Sequence, residues 1–256
     1  GNDEEMRTRS TIALGQPSSL DGRFKVLRTH AKGGLGQISI AMDNELNREV
    51  ALKEILADHL HSEETKDRFF REAQITGRLE HPCIVPVYGM GNQADGSPYY
   101  VMRFIRGKEL KNAIDQFHDN YPPDRFIGKR RVEFIQLLRQ FNDVCNAIGY
   151  AHSRGIIHRD IKPANVLLGK YNETFVVDWG LAKPIGELES APTEGGINLT
   201  SISDPDSSHT QMHSTLGTPG YMSPEQADGR LDELGPPSDV YSLGATLYYL
   251  LTRKSS

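Results

Sequence analysis

The stretch richest in chemistry is IIHRDIKPANVLL, where His158, Arg159, Asp160, Lys162 and Asn165 crowd a proline-containing loop. An ordinary turn needs Gly, Pro, Asn or Asp, not so many charged and hydrogen-bonding groups. Asp160 could accept a hydroxyl proton, Lys162 could neutralise a moving phosphoryl group, and the Asn165 amide oxygen could ligate a hard cation. A second carboxylate follows in TFVVDWGLAK, where Asp178 ends a short apolar run beside Trp179, the only tryptophan. Alone, an Asp followed closely by Gly is a strand-end turn. One short hairpin after Asn165, Asp178 becomes a second oxygen ligand, and the pair suits Mg²⁺ with phosphates completing its octahedron.

Two further stretches have bland readings when taken singly. HAKGGLGQI, His30 to Ile38, is a glycine-rich hairpin between two strands, or a flap whose backbone N–H groups approach phosphates because Gly33, Gly34 and Gly36 lack a Cβ. Lys53 in VALKEI is a snorkelling edge lysine unless a carboxylate meets it. Glu72 on the following helix could do so, which would hold the ammonium charged and aimed at phosphate oxygens.

These groups need a scaffold, and the chain is large enough to supply one. It has 256 residues, 37% of them hydrophobic, enough for one large domain or two lobes. A net charge of −5, from 29 basic and 34 acidic residues, excludes a basic field for nucleic acid. Cys83 and Cys145 lack metal-ligand spacing and fit unpaired thiols in a reducing compartment. Residues 1–22 read as a polar leader. FKVLRTH, QISIAM, REVALKEI, IVPVYGM and PYYVMRFI read as strands, interrupted by one helix that starts at Ser62 and runs to about Leu79.

The character changes near Gly107. Leu110, Ala113, Ile114 and Phe117 mark a short amphipathic helix, and Phe134 through Ala151 a long one. Residues 184–214 are rich in Pro, Gly, Ser, Thr and acids, a loop length that points to function or disorder. SDVYSLGATLYYLL reads as a helix apolar on nearly all sides, hence buried. It is too short and too polar to span a membrane. The chain starts with Gly and stops just after this segment, so it is expected to be a piece of something longer.

Flap, strand lysine, helix glutamate, H-R-D loop and Asp-x-Gly, in this order, resemble a protein kinase. GTPGYMSPEQA is similar to the P+1 loop and A-P-E of that family, here Ser223 to Glu225, and Asp239 to its buried aspartate beneath the catalytic loop. The resemblance covers about Phe24 to Leu251. Lys162 two residues after Asp160, and GTP before Tyr221, are similar to the serine/threonine pattern of bacterial Hanks-type (eukaryotic-like) kinases.

The resemblance implies an α+β, two-lobed fold: an N-lobe of about residues 23–106 with an antiparallel sheet and one helix, and a mainly helical C-lobe of about 107–256 whose last helices are missing. It implies phosphoryl transfer from ATP, with Mg²⁺ or Mn²⁺, to serine or threonine hydroxyls of proteins. Asp160 becomes the base, with Lys162 beside it. Lys53 and Glu72 grip the α/β-phosphates, and Asn165 and Asp178 hold metal. Met102 is the gatekeeper, Arg103, Phe104 and Ile105 form the hinge, and Leu167 floors the adenine pocket. Ala31, Gly33, Gly34, Gly36, Ile38 and Ala51 complete the nucleotide site. Arg159 implies control by a phosphorylated loop, with Thr210 the first candidate, then Ser214 and Thr215, and Thr218 in the same regulatory set.

The chain departs from the family pattern at Ala31, where a stiffer flap is expected, at Arg103, and at Trp179, whose ring should fill the space beneath the Glu72 helix and favour Asp178 facing the site. The missing C-lobe part should include the arginine that pairs with Glu225. Its absence is expected to leave Glu225 and a helix face uncompensated, and this piece poorly stable or inactive. Implied partners are protein substrates and a second kinase copy for trans-autophosphorylation, with no nucleic acid. The implied location is cytoplasmic, any membrane tether lying outside these residues. The competing readings are a pseudokinase scaffold and a small-molecule phosphotransferase. The complete set of catalytic residue types speaks against the first, and the SPE segment with its Ser/Thr-rich loop against the second.

Overall fold

The computed structural model describes residues 20–33, 36–93, 95–121, 128–185 and 217–255. Gly34, Thr210, Ser214 and Thr215 lie outside them. After a helical turn α1 (Leu20–Arg23), the N-lobe strands are β1 (Phe24–Lys32), β2 (Gly36–Asp43), β3 (Arg48–Ile55), β4 (Val87–Asn92) and β5 (Pro98–Arg103). They form an antiparallel sheet in the order β1-β2-β3-β5-β4.

Register decides what this sheet presents. Lys53 lies opposite Ile38 on one side and Tyr100 on the other, and Ala51 lies opposite Ile40 and Met102. Because side chains alternate, these residues share one face, the face toward the helix. The opposite face carries its own apolar cluster of Ala41, Val50, Leu52, Tyr99 and Val101.

Helix α2 (Glu63–Arg78) starts where the sequence predicts. Ser62 Oγ accepts from the Thr65 N–H at 3.2 Å, and Glu63 and Glu64 sit in the first turn at the positive end of the dipole. Phe69 and Ala73 pack on Ile55 and Tyr100, which turns Glu72 toward β3. The strand predicted as IVPVYGM starts only at Val87, because Pro86 cannot donate to a ladder. Ile84 instead bridges Val176 in parallel, with Val176 N–H to Cys83 O at 2.8 Å and Val85 N–H to Val176 O at 3.4 Å.

The C-lobe begins with β6 (Gly107–Glu109), followed by α3 (Leu110–Asn120), α4 (Lys129–Ser153), β7 (Ile156–Ile157), β8 (Val166–Gly169), β9 (Thr174–Val176), β10 (Lys183–Pro184), α5 (Pro224–Ala227) and α6 (Pro236–Thr252). Gly107 is required where the lobes join, since a Cβ there would stand 1.8 Å from Leu168 O on β8. The main core joins Leu110, Ile114 and Phe117 of α3 to Leu137, Val144 and Ile148 of α4, and extends to Ile75, Leu79 and Trp179.

Helix α6 differs from expectation. Ala245, Tyr249 and Leu250 are buried, but Val240 (59% exposed), Tyr241, Tyr248 and Leu251 form an open face. The helix packs by one side on α4 and on the Pro219–Tyr221 turn, and its other side is exposed. No helix among the described residues is long and apolar enough to cross a membrane.

Candidate active site

The catalytic loop is held from below by one carboxylate. Asp239 of α6 has no exposed surface, and its Oδ2 accepts from the His158 N–H at 2.8 Å and from His152 Nε2 at 2.7 Å. Its Oδ1 accepts from the Arg159 N–H at 2.8 Å. This clamp fixes Arg159 in the left-handed region, φ 67°, a conformation that strains a side chain with a Cβ. His158 is itself buried. Its Nδ1 accepts from the Asp160 N–H at 3.3 Å and its Nε2 donates to Val177 O at 3.3 Å, so the loop is tied to the strand that leads to Asp178.

Above the clamp, Asp160 is 8% exposed and both its oxygens are engaged. Oδ2 accepts from Lys162 Nζ at 2.7 Å and Asn165 Nδ2 at 2.9 Å. Oδ1 accepts from the Thr218 N–H and hydroxyl, each at 3.2 Å. Lys162 Nζ also donates to Thr218 Oγ1 at 2.6 Å. Thr218, one of the implied regulatory hydroxyls, lies in the Asp160 cluster, its hydroxyl donating to Asp160 Oδ1 and accepting from Lys162 Nζ.

Across the cleft, Lys53 Nζ donates to Glu72 Oε1 at 2.5 Å, and the Tyr100 hydroxyl donates to the same oxygen at 2.7 Å. Burial alone would lower the Lys53 pKa, but Glu72 and Asp178 more than reverse it and the net shift is upward. The ammonium therefore stays charged. Burial, and then Glu72, push the Tyr100 hydroxyl well above its ordinary value and keep it a donor. Tyr100 carries no signal in sequence spacing; only the β3–β5 register reveals it.

Asp178 adopts φ 65° and is exposed. A Cβ on Gly180 would stand 3.3 Å from Glu72 Oε2 and 3.5 Å from Asp178 Oδ1, so this glycine admits both carboxylates to one corner. Trp179 is 1% exposed and joins the core cluster of Ile75 from α2 and Leu79 just after it, as expected from its size. Its ring lies 4.6 Å from that of His158, and its buried Nε1–H has no hydrogen-bond partner among the described residues.

Several free groups fit a nucleotide and a divalent ion. Asn165 donates with both amide hydrogens, to Asp160 O at 2.8 Å and to Oδ2, and its amide oxygen has no partner among the described residues. Asp178 likewise accepts no hydrogen bond there. No three His, Cys, Asp or Glu side chains converge among the described residues. Two protein oxygens alone suit Mg²⁺, which keeps waters and phosphate ligands. At the hinge, the Arg103 N–H is used by Pro86 O at 3.0 Å, whereas the N–H groups of Phe104 and Ile105 donate to no described residue. Leu167 alternates with the core residues Val166 and Leu168 and so faces the other way, toward the cleft.

The two described flap glycines differ. Gly36 faces the β3 backbone, where a Cβ would stand 2.8 Å from Glu54 O, so the sheet demands it. Gly33 would meet only Gly36 O at 3.7 Å, so protein packing makes no such demand there. Ala31 pairs with Ile38 just after a register shift between Thr29 and Ala31, so β1 is irregular beside them.

Two expectations concern the P+1 region. Glu225 is not left uncompensated: its Oε1 accepts from Ser238 Oγ at 2.5 Å, and this bond holds its carboxyl below the ordinary value. Arg159 is partly buried, with Nε donating to Leu181 O at 2.5 Å. Burial first, and then Arg68 and Arg71 of α2, lower its pKa, while Asp239 opposes them. Three guanidinium groups thus share one region, a feature the sequence spacing hid.

The protein kinase domain profile matches residues 24–256. The chain is 37% identical over 237 residues to the serine/threonine-protein kinase PknD of Protochlamydia amoebophila (strain UWE25), covering 91% of this chain and 23% of that protein. It is 36% identical over 235 residues to PknD of Chlamydia caviae, covering 90% and 24%, and 36% over 230 residues to PknD of Chlamydia pneumoniae, with the same coverage. The chain spans about a quarter of the length of these curated relatives. With the profile match running from β1 to the end of the chain, the protein belongs to the protein kinase family, in its bacterial Hanks-type serine/threonine branch.

Proposed function

We propose that this domain transfers the terminal phosphoryl group of ATP to serine or threonine hydroxyls of proteins. The observation that carries the proposal is the convergence of Asp160, Lys162 and Asn165 opposite the Lys53–Glu72 pair, with Asp178 between them in the electrostatics of Lys53. Bound ATP with Mg²⁺, or Mn²⁺, would supply the phosphoryl group and the divalent charge.

In this reading Asp160 orients the acceptor hydroxyl and takes its proton, while Lys162 offsets charge on the moving oxygens. The Thr218 hydroxyl already sits in hydrogen-bond contact with both, which supports recognition of a hydroxyl there. Asn165 and Asp178 offer the metal ligands, and Lys53 the phosphate contact. The N–H groups of Phe104 and Ile105 take the adenine edge, with Ala31, Ile38, Ala51, Met102 and Leu167 around the base and Gly33, Gly34 and Gly36 over the phosphates.

Hydrogen bonds from the protein itself hold these groups, the kind of fixed polar arrangement by which electrostatic preorganisation lowers a barrier. Both cysteines are free, in keeping with the reducing, ATP-containing cytoplasm as the place of work. Phosphate on the 186–216 segment, with Thr210, Ser214 and Thr215 as candidates, would be received by Arg159 together with Arg68 and Arg71. The test is transfer of labelled phosphate from ATP to a generic basic protein. Asp160→Ala should abolish transfer and retain nucleotide binding, and undiminished transfer would overturn the assignment. Phosphopeptide mapping that finds no phosphate between Thr200 and Thr215 would remove the regulatory part alone.

A further inference from the structure

Helix α4 turns one side away from the core over its N-terminal half. Arg131, Ile135 and Arg139 are spaced by four with Val132 beside them, so they share one outward stripe, opposite the buried Leu137, Val144 and Ile148. Val132 is 65% exposed and Ile135 38%, two aliphatic side chains left in water. The stripe continues through Asn142, Asn146 and Gly149, all exposed, and carries no acid. Gln136 donates to Asn172, which sets the β8–β9 turn against this half of the helix. On that turn Tyr171 is 79% exposed, and Lys170 has only the Tyr171 ring near it, at 5.8 Å.

The cations of this face are unbalanced. Lys129, Arg131, Arg139 and Lys170 are exposed, and none has a carboxylate partner among the described residues. The acids near them in the chain are engaged elsewhere. Glu133 accepts from the Tyr121 hydroxyl at 2.8 Å and Asp143 from the Thr174 hydroxyl at 3.1 Å. Glu173 accepts from Arg103 at 3.3 Å and from the Tyr171 N–H at 2.9 Å. The first turn of α4 carries Lys129, Arg130 and Arg131 and no acid, which sets positive charge at the positive end of the dipole. That arrangement costs helix stability, so the fold does not account for it. The whole chain has a net charge of −5, but charges beyond about 8 Å are largely screened at physiological ionic strength, and the local surplus decides what this face meets.

Unpaired cations on long stems, two aliphatic side chains between them and an amphipathic tyrosine ring are the parts of an interfacial membrane contact. We propose that this face of α4, with the β8–β9 turn, docks the domain on the surface of an anionic lipid bilayer. Val132 and Ile135 reach the acyl boundary, the Tyr171 ring rests at headgroup depth, and Lys129, Arg131, Arg139 and Lys170 meet the phosphates. None of Arg131, Val132, Ile135 and Arg139 lines either of the cavities beside α2 and α3. The stripe thus has no recess to seat a side chain of a folded acidic partner, whereas a fluid lipid surface conforms to a convex helix. Two aliphatic side chains alone bind weakly, so charge carries most of the affinity. The catalytic loop follows Ser153, about 33 Å along the helix from Arg131, and lies outside the docked half. The docking does not rest on the kinase reading.

The experiment sediments the full chain with sucrose-loaded vesicles. Vesicles of phosphatidylcholine with about one third phosphatidylglycerol should bind it, and vesicles of phosphatidylcholine alone should not. Raising salt from about 0.1 M to about 1 M shortens the screening length from about 10 to about 3 Å and should release the protein. Each cation contributes about fivefold, so Lys129→Glu with Arg131→Glu and Arg139→Glu should weaken binding at least about a hundredfold. The first two of these changes put acids at the positive end of the dipole, where they favour the helix, so lost binding would not be lost folding. Val132→Ser with Ile135→Ser alters exposed side chains only, keeps every charge, and should weaken binding about fivefold or more. Equal binding to neutral vesicles, the result expected if the open side of α6 simply adheres to lipid, would overturn the proposal. So would no binding to anionic vesicles, or full binding by the triple variant. Parent-like vesicle binding by the serine variant would reduce the face to a surface for any polyanion, an acidic protein included, and overturn the membrane assignment.

Discussion

Replacing Asp239 by Asn tests how the catalytic loop is held. The carboxylate accepts three hydrogen bonds in a site without exposed surface. An Asn oxygen in the place of Oδ2 can keep His158 N–H and His152, but its NH₂ then confronts the Arg159 N–H. Leaving that buried donor unpaired costs about 1–3 kcal/mol. Replacing charge-assisted bonds to the carboxylate by neutral ones adds about 1 kcal/mol or more. The sum, about 2–4 kcal/mol, is a large part of an ordinary domain's stability.

The site should suffer in a characteristic way. Arg159, released from its clamp at φ 67°, can relax toward an unstrained conformation, and Asp160 follows it. A shift of that kind lowers kcat about 100-fold. The proposed ATP-binding groups, Lys53, Glu72 and the hinge, make no hydrogen bond to Asp239, so nucleotide affinity should hold. Urea unfolding, single-turnover phosphate transfer and nucleotide titration read the three quantities. A variant with kcat within about threefold of the parent, at full stability, would refute the clamp.

Four further outcomes follow from the same geometry. Trp179→Phe removes an orphaned indole N–H as well as packing, so a cavity loss of about 2 kcal/mol meets a comparable gain, and the unfolding midpoint should barely move; a loss above about 3 kcal/mol would mean that the N–H is satisfied in solution. The same variant should bind ligands that require Asp178 turned away more tightly than the parent does, and equal binding would end the idea that the indole holds Asp178 toward the site. Gly36→Ala should destabilise the N-lobe by about 1–3 kcal/mol because its Cβ meets Glu54 O, while Gly33→Ala should keep the parent's stability and raise KM for ATP; thermal melts and initial rates distinguish them. The Lys53 pKa lies above its ordinary 10.5, so the contribution of this pair is complete below 10.5 and fades as pH rises through the higher folded value; nucleotide affinity that falls between neutral pH and about 9 in the parent, but not in Lys53→Met, would contradict this.

The sequence disclosed the catalytic loop because charged residues crowded a short stretch where a turn would not need them. It disclosed the two lobes because the apolar period changes from strand to helix at Gly107, and the structure adds the steric reason for that glycine. Strand starts were less legible: Ile84 and Val85 have strand composition, yet Pro86 diverts them to a bridge with Val176. Residues that act through register or helix facing were hidden. Tyr100 meets Glu72 only because β5 pairs with β3, and Arg68 and Arg71 approach Arg159 only because α2 lies over the loop. The open side of α6 was misread, since apolar composition says that a surface prefers burial but not which face finds a partner.

The main-chain bonds joining Cys83, Val85 and Val176 have a mechanical consequence. They pin the segment leading into β4 to the C-lobe strand that precedes Asp178, while the chain crosses a second time at Arg103–Gly107. Two fixed points define an axis, so opening reduces to a swing about one line. The glycine tip far from that axis travels furthest, and Lys53 moves less. The gape of the cleft can therefore vary widely while the seat of the ammonium shifts little.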